Sequence, residues 1–285
     1  MKIKQSKKYS FMCFVVLLIS VKIMAQNLEV EGQAKITVMN TDNNANEVVV
    51  RQADGTLAVR AASTISAQNN TSVYGTVTNP ATGKVWLDRN LGASQVATSP
   101  TDFLSFGDYY QWGRAADGHQ KSVSPPVAAQ VSDWMANTLG STAGHFITIN
   151  SSTRSDWIFN GGYNDMWSGR SAENNPCPSG FRIPTNAEWV QEILTWTSND
   201  ATGAFSSTLK LPSSGFRGGS VTPGTFPTIT YFGVSGYYWS STASYPHLND
   251  WDEARYLFFT NGNNPLATTG NLSRVNGLPC RCIKD

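Results

Sequence analysis

The stretch NNPCPSGFRIPTNAEW, residues 174–189, combines a cysteine, an extended turn and the start of a helix. Two prolines flank Cys177 and hold the backbone extended there, because proline fixes its own φ and disfavours helix at the preceding residue. Thr185, followed three residues later by Glu188, is the signature of a capping box at a helix N-terminus. The stretch therefore predicts an extended corner that leads directly into a helix.

The residues after this corner indicate the fold class. Trp189, Ile193 and Trp196 recur at helical spacing, which predicts that the helix buries one face. The apolar and aromatic segments that follow are short, and turn residues separate them, as in GYYWSSTASY, ARYLFFTNG and CRCIKD. Early short helices followed by many short strands predict an α+β fold with an irregular antiparallel sheet. Trp189 is expected to pack under the sheet that carries Trp239.

The first residues predict export. Met1–Ala25 contains five lysines and an apolar run from Phe11 to Ser20, which is typical of a secretory signal peptide cleaved after Ala25. The run is short for a membrane span and Lys22 interrupts it, although an uncleaved anchor is the alternative. We therefore expect a location at the cell surface, in the periplasm or outside the cell, with no transmembrane span after cleavage.

The charge balance argues against nucleic acid as a partner. The chain has 21 Lys and Arg against 20 Asp and Glu, and removal of the five signal lysines leaves 16 against 20, a net charge of −4. Such a chain presents no basic footprint for nucleic acid or for an anionic membrane. Only 14% of the residues are charged, against roughly 25% in ordinary globular proteins. This composition is typical of exported, loop-rich proteins.

A separate β-rich segment precedes the main domain at residues 26–60. Alternating apolar residues at 34–38 predict one strand, and two more strands, at 48–51 and 57–60, flank an Asp-Gly turn. Two or three short strands cannot bury a core alone. The segment must therefore dock on the main domain or pair with copies of itself. It resembles the β-stalks of fibre-like and adhesin-like surface proteins, which implies a possible homotrimer. Residues 61–72 are predicted to be a linker.

Three cysteines remain after signal cleavage: Cys177, Cys280 and Cys282. An oxidising compartment permits a disulfide. A C-x-C pair is poorly placed to bond to itself, because its two Cβ atoms do not approach each other on an extended strand. We therefore predict one long-range bond from Cys177 to the C-terminal pair, with Cys282 the favoured partner.

Six motifs follow one another between residues 73 and 285: GKVWLDRNLGA, DYYQWGRAADG, NPCPSGFRIPTNAEW, LPSSGFR, GYYWSST and RCIKD. In this order they resemble the Fibrobacter succinogenes major paralogous domain family, whose members are exported proteins mostly of Bacteroidetes-like and Fibrobacter-like bacteria. The resemblance implies a C-type-lectin-like head over residues 73–285. The same compact fold occurs in formylglycine-generating enzymes and in phage receptor-binding variable domains. The resemblance implies fold and location more directly than function.

Catalytic signatures are scarce in the sequence. Formylglycine-generating enzymes bind copper through two cysteines near the chain end, and here Cys280 and Cys282 stand closer together than in that pattern. The chain has no G-x-S-x-G, H-E-x-x-H, P-loop or C-x-x-C motif. His119 follows a glycine turn and is predicted to be a solvated loop residue. We therefore predict no catalytic residue and favour a protein that is not an enzyme, with an enzyme of the formylglycine-generating type, or another catalytic use of the fold, as the alternative.

The segment SYPHLNDWDEARY, residues 244–256, carries the predicted ligand-binding residues. They are Tyr245, His247, Asn249, Asp250, Trp251 and Asp252. Aromatic rings stack on the apolar faces of sugars, whereas amide and carboxylate groups bond hydroxyls. A polar loop with a half-buried tryptophan is the alternative interpretation.

The sequence predicts no cofactor. C-type lectins bind sugars through calcium held by Asn, Asp and Glu, and Asn249 with Asp250 supplies part of such a set, so calcium is the alternative. Calcium takes six to eight oxygens, which is more than this segment offers. We expect a surface or secreted recognition module that binds glycan or protein through loops. A structural subunit of a surface filament, assembled through the N-terminal segment, is a further alternative.

Overall fold

The structure is a computed structural model that describes residues 47–51, 57–61, 74–132, 142–150, 156–158, 163–168, 174–220, 226–244, 252–261 and 266–285. The chain divides into two compact units, Met1–Gln68 and Asn69–Asp285. The described ranges hold mostly antiparallel strands and a few short helices, which confirms the predicted α+β class. None of the helices in these ranges has the length and hydropathy needed to cross a membrane.

The first unit contains an antiparallel hairpin. Strand β1 (Glu47–Arg51) pairs with β2 (Leu57–Ala61), and Val49 lies opposite Val59 at its centre. These bounds confirm two of the three predicted strands. The third prediction, at residues 34–38, lies outside the described residues.

The second unit, which we call the head, contains the remaining elements. Its strands are β3 (Thr76–Thr78), β4 (Val85–Leu87), β5 (Tyr110–Gln111), β6 (Pro126–Val127), β7 (Phe146–Ile147), β8 (Phe181–Arg182), β9 (Phe216–Arg217), β10 (Ile229–Thr230), β11 (Ser235–Ala243), β12 (Glu253–Thr260), β13 (Leu266–Ser273), β14 (Gly277–Leu278) and β15 (Ile283–Lys284). Its helices are the 3-10 helix η1 (Phe103–Ser105), α1 (Asn186–Ile193) and α2 (Ala201–Ser206).

The strand that is last in sequence, β15, lies inside a sheet. This sheet has the order β3-β4-β15-β8, so segments from both ends of the head meet in it. Ile283 of β15 pairs with Trp86 on one side and with Arg182 on the other. Completion of the sheet therefore requires the C-terminal residues.

The sheet with the longest described strands is the meander β11-β12-β13, which packs on α1 through one face. Tyr238, Leu257 and Phe259 on this face are fully buried in a core that includes Trp189 of α1. The indole Nε1 of Trp189 donates to the backbone carbonyl of Trp239 at 3.1 Å. The predicted packing of this helix against the strand of Trp239 is therefore confirmed.

The predicted capping box is present at the start of α1. The Thr185 hydroxyl accepts the Glu188 backbone N–H at 3.2 Å, and the Glu188 carboxylate accepts the Thr185 backbone N–H at 2.8 Å. Helix α1 ends at Ile193, so Trp196 lies just beyond it. Trp196 still packs edge-on against Phe259, with ring centroids 5.8 Å apart, which closes the same core.

Buried tryptophans tie the irregular segments of the head together. Five indoles donate to backbone carbonyls that are mostly far away in sequence. The pairs are Trp112 to Ser240, Trp157 to Trp112, Trp167 to Asn174, Trp189 to Trp239 and Trp239 to Tyr110, at 2.7–3.1 Å. Each indole therefore combines a large buried apolar surface with a satisfied donor.

Four arginines with at most 1% exposure serve the same purpose: Arg114, Arg217, Arg274 and Arg281. Arg281 donates to the Leu209 carbonyl at 2.7 Å and to the Asn90 Oδ1 at 3.0 Å. Burial lowers the pKa of Arg281 to about 10, so the group remains charged at neutral pH. A buried charge of this kind is tolerated because its donors are hydrogen-bonded.

Two short strands carry core residues of the head. Strand β7 places the fully buried Phe146 and Ile147 in the core. Strand β5 does the same with Tyr110 and Gln111, which are also buried.

The predicted disulfide is confirmed. Cys177 bonds to Cys282 across 105 residues, with Cα atoms 6.0 Å apart. Cys280 is the free cysteine of the described residues and is fully buried. The bond fixes the corner that precedes α1 to the C-terminal segment.

Loss of this bond should destabilise the head. In the chain-entropy account, a loop of this length is worth about 4–5 kcal/mol. We expect Cys177→Ala and Cys282→Ala to lower the free energy of unfolding by about that amount in chemical denaturation, and to abolish the fall in Tm that reductant causes in the wild-type protein. Cys280→Ala is the control, since it must retain the response to reductant. An equal loss of the response in that variant would contradict the assigned pairing.

Candidate functional site

Five aromatic side chains form a partly exposed cluster on the head, which we call the aromatic strip: Phe216, Tyr231, Tyr237, Tyr256 and Phe258. Tyr237 lies at its centre, and the ring centroids of the other four lie 4.9–6.2 Å from its own. Tyr237 and Tyr256 are almost parallel, with 8° between their planes. The strip is therefore a continuous apolar surface rather than a set of scattered rings.

Strand alternation explains why three of these rings share a face. Tyr237 of β11 lies directly opposite Phe258 of β12, and Tyr256 is two residues from Phe258, so all three project to the same side. This side is opposite the face that packs on α1. Tyr256 faces Gly270 on β13, where a Cβ atom would lie only 3.0 Å from its ring. The glycine lets the tyrosine ring lie flat across the strand.

Tyr231 extends the strip into solvent. Its side chain is 58% exposed, and its backbone has the left-handed φ of +59°. This conformation costs of order 1 kcal/mol for a residue of this size, and surrounding contacts must hold it in place. The Ser235 N–H donates to the Tyr231 carbonyl at 2.9 Å, and Gly233 N–H donates to the Ser213 carbonyl at 2.7 Å. The turn therefore presents Tyr231 in one fixed orientation.

Two tyrosine hydroxyls of the strip, those of Tyr237 and Tyr256, are neutral over the physiological range. Burial, assisted by the neighbouring tyrosines, raises the pKa of Tyr237 to about 12. Burial also raises the pKa of Tyr256. The strip thus offers uncharged ring faces edged by hydroxyls that both donate and accept hydrogen bonds. Such a surface suits ligands with flat apolar faces and many hydroxyls, or the apolar side chains of a protein.

The predicted binding loop is described only at its end. Tyr245, His247, Asn249, Asp250 and Trp251 lie outside the described residues, and with them lies the possible calcium set. Their assignment therefore stays a prediction.

Asp252 is the described member of the predicted set, and it lies beside a buried charge cluster. Its backbone carbonyl accepts the Arg274 N–H at 2.8 Å. The Nη1 of Arg274 lies 3.5 Å from the Oδ2 of Asp156. Burial raises the pKa of Asp156 to about 7, although Arg274 opposes this shift, and the charge of Asp252 adds to it.

The prediction that His119 is a solvated loop residue is wrong. His119 is fully buried, and its Nδ1 lies 2.6 Å from the Asp117 Oδ1. Its Nε2 accepts the backbone N–H of Gln111 at 3.1 Å. Since Nε2 is an acceptor here, the neutral ring must carry its proton on Nδ1 and donate it to Asp117. A glycine turn in the sequence gave no sign that the next residue turns inward.

The arrangement of Ser124, His119 and Asp117 is not a catalytic triad. The Ser124 hydroxyl donates to the backbone carbonyl of His119 at 2.5 Å, and not to its ring. Both ring nitrogens already have partners, so the imidazole has no free nitrogen to act as a general base. Burial lowers the pKa of His119 to about 4, helped by the charge of Arg114. The cluster therefore holds the segment around residue 119 in place.

The cysteine chemistry of formylglycine-generating enzymes also lacks support. Cys282 is consumed by the disulfide, which leaves Cys280 as the single free thiol of the described residues. Burial raises the pKa of the Cys280 thiol well above its usual value, so the reactive thiolate is disfavoured. Within the described ranges, no group of three or more His, Cys, Asp or Glu side chains is arranged to hold a metal ion.

Sequence reasoning missed the aromatic strip, although part of its signal was present. GYYWSST and ARYLFFTNG place Tyr237, Tyr256 and Phe258 at alternate positions on two successive strands. The alternation does not show that this face, which also carries the fully buried Trp239, leaves Tyr237 and Tyr256 partly exposed. Phe216 and Tyr231 come from other segments, and nothing in their local sequence predicts that they join the strip.

Comparisons with family models, with curated proteins and with solved structures found no match. The resemblance to the Fibrobacter succinogenes major paralogous domain family therefore depends on the six motifs alone and stays a prediction.

The buried His119 predicts a pH dependence. Its pKa of about 4 in the folded state is below the value of about 6.5 in an unfolded chain, so only the unfolded chain takes up the proton between these values. The contribution of His119 to stability is therefore complete above pH 6.5 and is lost as the pH falls toward 4, by about 3 kcal/mol. Chemical denaturation at pH 7 and pH 4 should show this loss in the wild-type protein relative to His119→Gln.

Nitrogen NMR provides an independent check of the same assignment. At pH 6 the ring of His119, identified by its absence in His119→Gln, should show the proton on Nδ1. A ring that titrates near pH 6.5, or that carries its proton on Nε2, would contradict the buried hydrogen-bonded role.

Proposed function

We propose that the chain is an exported, non-catalytic recognition module whose head binds glycan through the aromatic strip. The observation that carries the proposal is the set of five partly exposed rings around Tyr237, held on a stiff sheet. Buried aromatics are ordinary core residues, whereas a contiguous exposed set is a recognised mark of an interaction surface. Rings of this kind stack on the apolar faces of sugar rings, and their hydroxyls reach the sugar hydroxyls.

A glycan is favoured over a protein partner by the chemistry of the strip. Three of its five members are tyrosines, and burial raises the pKa of the Tyr237 and Tyr256 hydroxyls. A neutral, hydroxyl-edged surface matches a polyhydroxylated ligand along its whole length. Protein interfaces of comparable apolar content usually add arginine anchors, whereas no cation–π contact to a ring of the strip is found within the described ranges.

A C-type-lectin-like fold is part of the proposal. It is supported by the six motifs, by the pairing of strands from both ends of the head around β15, and by the disulfide that ties the corner before α1 to the C-terminal segment. The proposed export is supported by the signal-like N-terminus and by a disulfide that suits an oxidising compartment. The enzyme alternative is weaker, because neither His119 nor Cys280 is available for chemistry.

Removal of a ring from the strip should weaken glycan binding. We expect Tyr231→Ala and Tyr256→Ala each to reduce retention on an insoluble polysaccharide column by about tenfold, which corresponds to about 1.4 kcal/mol for a stacking contact. The measurement is affinity chromatography over a panel of polysaccharides, preceded by a glycan array to choose the panel.

The matched control is Leu194→Ala. Leu194 is 80% exposed and follows α1, which packs on the opposite face of the same sheet. This variant should bind as the wild type does. Absence of any glycan signal, or equal losses in all three variants, would overturn the proposal, and capture of a protein ligand by the strip would replace glycan with protein.

A second candidate role, as a subunit of a surface filament or as a homotrimer, is favoured by the β1–β2 hairpin. Two strands have two edges with unpaired backbone groups and bury little on their own, so such a hairpin gains stability from a partner.

The assembly role has its own test. Val49→Pro removes a backbone N–H at the centre of the hairpin and should disrupt it. If the hairpin drives assembly, light scattering of the whole chain should show a larger mass for the wild type than for Val49→Pro. Val49→Thr, which keeps the N–H and the β-branched shape, should assemble as the wild type does. Equal masses for wild type and Val49→Pro would dismiss the assembly role and leave the recognition proposal untouched.

A further inference from the structure

A groove lined by several hydroxyl-bearing residues, which we call the polar groove after them, lies at the C-terminal end of β11, whereas Tyr237 of the aromatic strip lies near the N-terminal end of the same strand. Its volume is about 460 Å³, within the range typical of small-molecule sites. Its lining residues are Asn164, Ser168, Arg182, Thr185, Ser241, Thr242 and Ala243. Hydroxyl and amide groups dominate this set, and it contains no aromatic ring.

Arg182, the one charged residue among the described lining residues, is already paired with carboxylates. The guanidinium of Arg182 donates to both oxygens of Glu188, each at 2.8 Å, and to Asp285 at 2.6 Å. Lys84 lies 3.7 Å from the same Glu188 carboxylate, so two cations and two carboxylates balance at this corner. Among its described lining residues, the groove therefore has no spare positive charge for an anion and no spare carboxylate for a cation.

A hydrogen bond from Arg274 fixes the orientation of the Asn164 side-chain amide, which lines the groove. The fully buried Arg274 donates from Nη2 to the Oδ1 of Asn164 at 2.5 Å. Since a guanidinium only donates, the amide oxygen must face Arg274, and the NH₂ group of Asn164 must point away from it. Asn164 thus brings two N–H donors to the groove in a defined position.

Three lining hydroxyls retain capacity for a ligand. Ser241 is only 6% exposed, yet its hydroxyl has no hydrogen-bond partner in the described part of the chain, and the same holds for Ser168. Thr242 accepts the backbone N–H of Asn186 at 3.0 Å, which leaves its O–H free to donate. Thr185, in contrast, uses its hydroxyl fully with Glu188.

We propose that this groove is a second ligand site, which binds a neutral sugar unit by hydrogen bonds. Its uncommitted groups are a fixed NH₂ donor and hydroxyls that can donate or accept, and these match the alternating hydroxyls of a pyranose. Charged ligands do not fit, because Arg182 is already paired. The site goes beyond the proposed function of the strip and does not require that the strip bind anything.

The test uses the whole chain and a panel of neutral methyl pyranosides with gluco, galacto and manno configurations, observed by saturation-transfer difference NMR. We expect at least one pyranoside to bind, with a Kd of about 1 mM, as suits a site that makes a few hydrogen bonds. The double variant Ser168→Ala/Ser241→Ala should weaken this binding by about tenfold, since each lost hydrogen bond is worth about 0.5–1.5 kcal/mol. Neither serine hydroxyl bonds within the described chain, so the Tm should be unchanged.

Two controls separate this site from the strip. Ser206→Ala, an exposed serine on α2, should leave pyranoside binding unchanged. Tyr231→Ala should also leave it unchanged, even where polysaccharide retention is lost, so the two proposals can fail separately. The groove proposal is overturned if no neutral pyranoside binds, if the double variant binds equally well, or if a neutral peptide such as acetyl-trialanine amide binds in place of the sugars.

Discussion

The head depends on hydrogen bonds from buried indoles to backbone carbonyls. Many of its strands contain only two or three residues, so ladders between strands satisfy only part of the buried backbone. The bond from Trp239 to the Tyr110 carbonyl joins two segments 129 residues apart, and Trp112 returns the link to Ser240. A buried carbonyl without a partner destabilises the fold by about 1–3 kcal/mol. These bonds remove that cost and so stabilise a core with little regular structure. Buried arginines also donate to backbone carbonyls, as Arg281 does to the carbonyl of Leu209.

The sequence predicted those features whose causes are local. The capping box at Thr185 and the disulfide from Cys177 depend on spacing, compartment and a few neighbouring residues, and both were correct. The inward position of His119 depends on a backbone N–H eight residues earlier and on Asp117, so no local pattern reports it. The aromatic strip depends on which face of a strand remains partly exposed. The alternation around Tyr237 shows which residues share a face, but it does not show which of the two faces is covered.

Strand β11 connects the two proposed binding surfaces. Tyr237 belongs to the aromatic strip, and Ser241 and Thr242 line the polar groove, while Trp239 between them is fully buried. The two surfaces therefore share one stiff backbone but differ in chemistry, one working by stacking and the other by hydrogen bonds. Neither surface relies on unpaired charge, which accords with a chain in which only 14% of residues are charged.

The interior position of β15 has a consequence for biogenesis. Synthesis runs from the N-terminus to the C-terminus, so Ile283 is among the last parts of the head to emerge. Until it does, β4 and β8 have no neighbour between them, and Cys282 is not yet there to meet Cys177. This sheet can therefore close only late in the synthesis of the head. Cys177 stays without its native partner until then.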